Sequence, residues 1–199
     1  MKKILLVLAL GLALAPCAAG AEDASQYYVP PTQFNALLEV MDLGFDTMFG
    51  LFRNATGNFT YDVKAKSISG LRFALDANSI VAANADDGAA LAALLASPQY
   101  PEIDFAASGD ARFVHGKAYI KGILTVHGTQ KPFTFTATLN RVGQSPAAGD
   151  MWNSEGTAVG LSLEGVFKRA DFGMGDDPLI KSRFGDAITL RIEMQGIRQ

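Results

Sequence analysis

The chain has 199 residues, of which 49% are hydrophobic and 19% are charged, and its formal net charge at pH 7 is −3. This composition is typical of a globular protein with one substantial core, and it excludes an intrinsically disordered chain. The basic residues form no run or patch, so nucleic acid is not expected as a partner.

The N-terminus has the three-part pattern of a secretory signal peptide. Lys2 and Lys3 precede an apolar run at residues 4–15, which is too short to cross a bilayer comfortably, and small residues follow. Ala19 and Ala21 fit the A-x-A cleavage pattern. We therefore predict a signal peptide at 1–21 and a single domain at 22–199 that is exported to the periplasm. Cleavage after Ala19 is a close alternative.

Cys17 is the only cysteine of the chain and lies within the predicted leader. A lipoprotein signal also ends at a cysteine, but Pro16 fits poorly where a very small residue is favoured, so lipid anchoring is the less favoured alternative. After ordinary cleavage the mature chain would hold no cysteine. That excludes disulfides, thiolate nucleophiles and cysteine metal sites.

Alternation of apolar and polar residues with period two dominates the remaining sequence and predicts about eight strands. The predicted strands are 34–41, 58–63, 70–76, 103–107, 112–115, 118–127, 133–140, 157–168 and 187–195. Residues 34–52 are ambiguous, because their apolar residues fall at helical spacing whereas Leu38 and Val40 also suit a strand. Gly116 and Lys117 are predicted to form a two-residue hairpin turn.

One segment has a helical composition. Residues 86–97 are rich in alanine and leucine, Asp86 or Asp87 can cap the N-terminus, and Pro98 follows. The sequence therefore predicts a single short helix. Residues 143–156, which include the only tryptophan, Trp152, are predicted to form a mobile loop.

Strands that alternate cleanly have one apolar and one polar face, and one helix cannot cover eight of them. The expected fold is therefore all-β and mainly antiparallel: a barrel of about eight strands with one short packed helix and its apolar face inside. Eight strands enclose either a packed core or one small ligand. A barrel that spans a membrane would turn its apolar face outward, but several predicted strands have only five or six residues and aromatic girdles are lacking.

Residues that carry chemistry do not form a recognisable site in the sequence. His115 and His127, the only histidines, have no carboxylate at ligand spacing, so no metal site is expected. Asp171-Phe172-Gly173 matches one kinase motif without the others, and Asp176 and Asp177 lack the spacing of a calcium loop. There is no G-x-S-x-G, and a pair of catalytic carboxylates stays open because sequence spacing does not fix spatial distance.

Five segments in order resemble the YceI-like family of periplasmic proteins. They are LGF at 43–45 followed by GLF at 50–52 and the strand at 57–62, then 94–105, GILTVHGTQKP at 122–132, RADFGM at 169–174, and 188–193. The resemblance implies a lipocalin-like barrel whose interior binds a long isoprenoid chain, such as a polyprenyl or quinone tail, with no established catalytic residues. It also favours a strand over a helix at 34–41. Asp42 stands where family members often have histidine, so a head-group contact made there is in doubt.

The function expected from the sequence is binding or transport of an isoprenoid or similar amphiphile in the periplasm, without catalysis, a resident cofactor, a metal or stable membrane insertion. An enzyme acting on a small apolar substrate in the same pocket and a barrel with a filled core are the alternatives, and a homodimer is left open. The residues predicted to line the lipid tail are Phe59, Tyr61, Phe73, Leu75, Ile103, Phe105, Phe113, Leu124, Val126, Phe133, Phe135, Leu161, Leu163, Leu190 and Ile192.

Overall fold

The computed structural model describes residues 24–144, 157–175 and 177–199. The predicted signal peptide with Cys17, most of the predicted loop with Trp152, and Asp176 lie outside the described residues. The described strands join in one antiparallel sheet. They are β1 (Ala24–Val29), β2 (Phe34–Asp42), β3 (Asp46–Phe52), β4 (Ala55–Asp62), β5 (Ser67–Asp76), β6 (Ile80–Val81), β7 (Glu102–Ala107), β8 (Ala111–Arg112), β9 (Lys117–Val126), β10 (Thr129–Gln144), β11 (Thr157–Lys168) and β12 (Phe184–Arg198).

Eight of these strands close into a ring, which confirms the predicted barrel. The order around the ring is β1-β4-β5-β7-β9-β10-β11-β12, and pairing of β12 with β1 closes it. The buried residues of each strand alternate with exposed ones, so the apolar faces point inward. The segments predicted as 58–63 and 70–76 belong to longer strands, β4 with 8 residues and β5 with 10, whereas β11 has the 12 residues predicted.

The ambiguous segment 34–52 forms the two strands β2 and β3 rather than a helix. β1 and β2 follow one another along the same edge of β12, where Tyr28 faces Ile197 and Phe34 faces Met194. Helical spacing misleads here because β3 is apolar on both faces: Met48 and Phe52 are buried, and Phe49 is exposed. Neither β1 nor β3 was predicted.

The first predicted hairpin is wrong in detail. The segment predicted as strand 112–115 contributes only β8, which pairs with β5. The turn centres on His115 and Gly116, whose φ angles are 51° and 77°, while Val114 and Lys117 exchange backbone hydrogen bonds of 2.8 and 3.1 Å. A type I′ turn needs positive φ at both central residues, and this requirement shifts the turn one residue towards the N-terminus.

The predicted helix is confirmed as α1 (Ala85–Leu95), but its cap differs. The Asn84 side chain, rather than that of Asp86 or Asp87, accepts the hydrogen bond from the backbone N–H of Asp87. Leu91 and Leu94 of α1 are buried in the core. A second helix, α2 (Pro178–Arg183), was not predicted. The described helices have 11 and 6 residues, and neither is a candidate for a membrane-spanning segment.

One end of the barrel, here called the upper end, carries the β2–β3 turn, the β9–β10 turn and the β11–β12 connection. β3 lies outside the ring and pairs with β2 and, through Leu51 and Phe52, with β6. α1 covers the inward side of β3, since a Cβ added at Gly50 would lie 2.6 Å from Ile80 and 2.7 Å from Leu91. Asp87 near the start of α1 accepts from Arg183 beside β2, and Tyr100 beyond its end packs against His127 of the β9–β10 turn. The helix therefore lies across the upper mouth of the barrel.

Candidate functional site

The fifteen side chains predicted to line a lipid tail all belong to the barrel wall or core. Fourteen are buried and contribute to a single apolar cluster, whereas Phe133 is half-buried at the upper end. Their assignment as ligand-lining residues stays a prediction. The structure places them together, as the period-two pattern requires.

Phenylalanine rings form a continuous row inside the barrel. Phe34 contacts Phe73, with 6.3 Å between ring centroids, and Phe73 contacts Phe105 at 5.5 Å. Phe135 lies edge-on to both Phe73 and Phe105, at 5.7 and 5.0 Å. The row thus begins beside β2 and crosses the interior to β10.

The upper half of the row leads to the surface. Phe133 lies 4.9 Å from Phe135 and 6.4 Å from Phe167, and Phe167 lies 5.1 Å from Phe172. Edge-to-face pairs at these separations are favourable beyond the area that they bury. Seven phenylalanines therefore connect the centre of the barrel to its upper rim. Phe34, Phe167 and Phe172 were not among the residues predicted to line the tail.

A glycine makes room for the ring of Phe133. A Cβ added at Gly165 of β11 would overlap that ring and would lie 3.0 Å from Phe135. Only a residue without a side chain lets the ring lie against the strand backbone. The pair of Gly165 and Phe133 could not be found from the sequence, because the two residues meet only through strand register.

The row ends in an open groove of about 580 Å³ on the outer surface. Phe133, Phe167 and Phe172 form its apolar lining, and Lys131, Lys168 and Asp171 lie at its rim; Pro132, Val166 and Ala187 complete it. The groove combines an apolar floor with a charged rim. Such a combination suits a molecule with an apolar body and a polar end.

The connection from β11 to β12 holds Phe172 in place. Arg169 is 7% exposed, and its guanidinium donates to the carbonyl oxygens of Gly185 at 3.2 Å and Met174 at 3.1 Å. The segment Asp171-Phe172-Gly173 is a short 3₁₀ turn that buries Phe172. The kinase-like motif is therefore a structural turn.

Asp42 is engaged in an ion pair at the same end of the barrel. Arg183 Nε donates to Asp42 Oδ1 at 2.8 Å, and Arg183 Nη2 donates to Asp42 Oδ2 at 3.2 Å and to Asp87 at 3.5 Å. The hydrogen bond to Asp42 raises the pKa of Arg183 above its usual value. The ion pair thus ties β2 to α2 and α1.

The histidines lie in separate turns. His127 and Gly128, with φ angles of 51° and 68°, form the β9–β10 turn, and the His127 ring packs against Tyr100 with 4.0 Å between centroids. In the described ranges no three His, Cys, Asp or Glu residues are close enough to hold a metal ion. His127 thus belongs to the turn and not to the predicted strand 118–127, whose counterpart β9 ends at Val126.

The lower end of the barrel contains two buried tyrosines. Tyr27 stacks on Phe59 at 5.3 Å, and Tyr61 lies 6.2 Å from Phe113. Burial raises the pKa of both phenol groups. Apart from these phenols, the buried polar side chains among the described residues are Ser97 and Arg169, so no carboxylate is enclosed with the phenylalanine row.

The fold and site together define a closed antiparallel barrel with an aromatic interior and a lateral groove. The profile of the YceI-like domain family matches residues 27–196, and the chain belongs to that family. A UPF0312 protein of Pseudomonas putida (strain GB-1) is 30% identical over 203 residues, which cover 100% of this chain and 99% of the relative.

Solved structures share the fold at low sequence identity. BcnA of Burkholderia cenocepacia has a TM-score of 0.68 and 16% identity, and the match covers 84% of this chain and 98% of BcnA. A polyisoprenoid binding domain from Saccharophagus degradans has a TM-score of 0.62 and 12% identity, over 88% of this chain and 99% of that domain. These likenesses confirm the lipocalin-like barrel.

Proposed function

We propose that this chain is a periplasmic binding or carrier protein that holds the apolar tail of an isoprenoid or similar amphiphile inside its barrel. The observation that carries the proposal is the row of seven phenylalanines that runs from the barrel centre to the groove at the upper rim. A hydrocarbon tail gains about 0.8 kcal/mol for each CH₂ that it buries, so a long tail needs few polar contacts.

A tail along this row would exchange ring–ring contacts for contacts between rings and methyl or methylene groups. Such an exchange keeps the interior apolar and requires side-chain rotation, without a change in the strand order. The polar head would stay at the rim beside Lys131, Lys168 and Asp171. We propose binding without catalysis, because Arg169 donates to two backbone carbonyls that hold the β11–β12 connection, and no described carboxylate is enclosed with the row.

The relatives support this proposal. The chain belongs to the YceI-like family, and a structural neighbour of the same fold is a polyisoprenoid binding domain. The proposed export to the periplasm is supported by the signal-peptide pattern at residues 1–21. The intact mass of the protein from a periplasmic extract would locate the cleavage site, and a lipid adduct at Cys17 would favour the anchored alternative instead.

Lipid extraction tests the proposed function. The full-length gene is expressed with its native leader, and the purified protein is extracted with organic solvent and analysed by mass spectrometry. We expect an isoprenoid in near-stoichiometric amount, and stoichiometric uptake of an added polyprenyl alcohol by protein that has been stripped of lipid. An unrelated periplasmic protein of similar size, purified from the same cells, serves as the control for carried-over membrane lipid.

A protein that carries no lipid in several preparations and takes up no polyprenyl compound would contradict the proposal and favour a barrel with a filled core. Turnover of a small apolar compound, with no lipid retained, would favour the enzyme. The same preparations give the oligomeric state by light scattering.

A further inference from the structure

The ring of strands is not fully paired between β10 and β11. The last opposed pair towards the upper end is Thr136 with Glu164. Beyond it, residues 129–135 of β10 pair only with β9, and residues 165–168 of β11 pair only with β12. We call this stretch, residues 129–135 and 165–168, the seam.

One side chain fills the seam from within. Phe133 is half-buried and its ring lies against Gly165, between the fully buried ring of Phe135 and the ring of Phe167. On the outer side of the same ring lies the groove with Lys131 and Lys168 at its rim. Phe133 therefore separates the barrel interior from the surface.

We propose that the seam is a lateral portal through which an isoprenoid tail reaches the interior, and that Phe133 is the side chain that moves to open it. This inference rests on the proposed function and adds the route by which the tail enters and the side chain that blocks that route. The tail passes over Phe172 and Phe167, displaces the Phe133 ring and continues along Phe135. The rim of Lys131, Lys168 and Asp171 stays in water and keeps the polar head outside.

Three observations favour the seam over other routes. The upper mouth is covered by α1, whose Leu91 lies against Gly50, so passage there requires a helix to leave. Opening the seam separates no opposed residue pair, because the pairing of β10 with β11 ends at Thr136 and Glu164. Rotation of one half-buried ring is also a fast, small motion compared with unpairing of strands.

The aromatic lining also distinguishes this groove. Two other described grooves have similar volumes, about 530 and 570 Å³, but no aromatic ring lines either of them. A smaller groove of about 200 Å³ also has Phe73 and Phe105 of the row in its lining, but it lies over β4, β5 and β7, which are paired there. The groove at the seam meets the row where two strands are unpaired. Continuity of this apolar surface identifies an isoprenoid or similar apolar chain as the occupant.

A reducible cross-link across the seam tests the portal. In a Cys17→Ser background, Thr134→Cys and Val166→Cys place thiols on the two outer faces of the seam, and a short bis-methanethiosulfonate reagent joins them. The control pair, Thr136→Cys with Glu164→Cys, joins two residues that are already opposed in the paired part. Association of a fluorescent geranylgeranyl analogue is followed by stopped flow before and after reduction.

We expect the link across the seam to slow association at least tenfold, reduction to restore the rate, and the control link to change it less than twofold. An unchanged rate with the seam linked would overturn the portal while leaving the proposed function intact. Failure of the unlinked protein to bind the probe at equilibrium would overturn both. Pairing of a second chain in the seam, seen as a doubled mass that the link abolishes, would also contradict the portal.

Phe133→Ala provides an independent test of the gate. Removal of the ring is expected to raise both the association and the dissociation rate of the probe several-fold, because the barrier between groove and interior is lost. Phe45→Ala is the matched control, since Phe45 is 91% exposed at the β2–β3 turn and takes no part in the row. Equal rates for Phe133→Ala and the wild type would contradict the role of this ring.

Discussion

Replacement of Phe135 by alanine removes the ring at the junction of the phenylalanine row. Phe135 is 0% exposed and lies 4.9, 5.0 and 5.7 Å from the rings of Phe133, Phe105 and Phe73. Truncation of a buried phenylalanine to alanine lowers the free energy of unfolding by about 3–5 kcal/mol, through lost transfer energy and the cavity left behind. At about 2–4 °C per kcal/mol for a chain of this size, we expect Tm to fall by about 10 °C.

The same variant tests where the tail lies. If a lipid tail occupies the row, it fills the space that the ring vacates, so a saturating polyprenyl alcohol should raise Tm more in Phe135→Ala than in the wild type. Differential scanning calorimetry of both proteins, each with and without the alcohol, measures the four values. Phe45→Ala is the control and should change stability by less than about 0.5 kcal/mol, because its ring is exposed.

Two results would refute this reasoning. A fall in Tm below about 2 °C for Phe135→Ala would show that the ring is not packed as the structure has it. If Tm falls as expected but the alcohol raises Tm no more in Phe135→Ala than in the wild type, the tail lies outside the row.

Three further predictions concern other parts of the barrel. Burial raises the pKa of Tyr61 above its ordinary value of about 10. Tyr61 therefore ionises more readily in the unfolded chain, and the free energy of unfolding falls as pH rises through about 10 and above. In urea titrations from pH 8 to 11, Tyr61→Phe should show a smaller fall than the wild type. Gly122→Ala should lower stability by about 1–3 kcal/mol in urea titrations, because the new Cβ would overlap the carbonyl oxygen of Ala106; a stable variant would mean that β7 and β9 can separate there. Asp42→Asn should lower stability by only about 0.5–1 kcal/mol in the same assay, since Arg183 is partly exposed and solvent screens the pair; a loss above about 3 kcal/mol would contradict that estimate.

The sequence alone determined the fold class and the inward faces of most strands. The segment 157–168 was predicted with the bounds that β11 has in the structure, because apolar and polar residues alternate along nearly all of it. The helix was predicted from its composition and from Pro98. These features depend on near neighbours in the chain, so the local pattern carries them.

Where both faces of a segment are apolar, the pattern failed. β3 buries Met48 and Phe52 but exposes Phe49, and its apolar residues therefore recur at helical rather than strand spacing. The turn before β9 also differs, because His115 and Gly116 adopt the positive φ angles that were expected at Gly116 and Lys117. In both cases the tertiary structure overrode the local signal.

Only the tertiary structure decided the features on which the proposals depend. The row of phenylalanines, the contact of Phe133 with Gly165, and the end of pairing at Thr136 and Glu164 all arise from strand register across the sheet. Arg183 likewise meets Asp42 across 141 residues of chain. The sequence showed which side chains are apolar and point inward, whereas the closure of the ring decided which of them touch and where the wall opens.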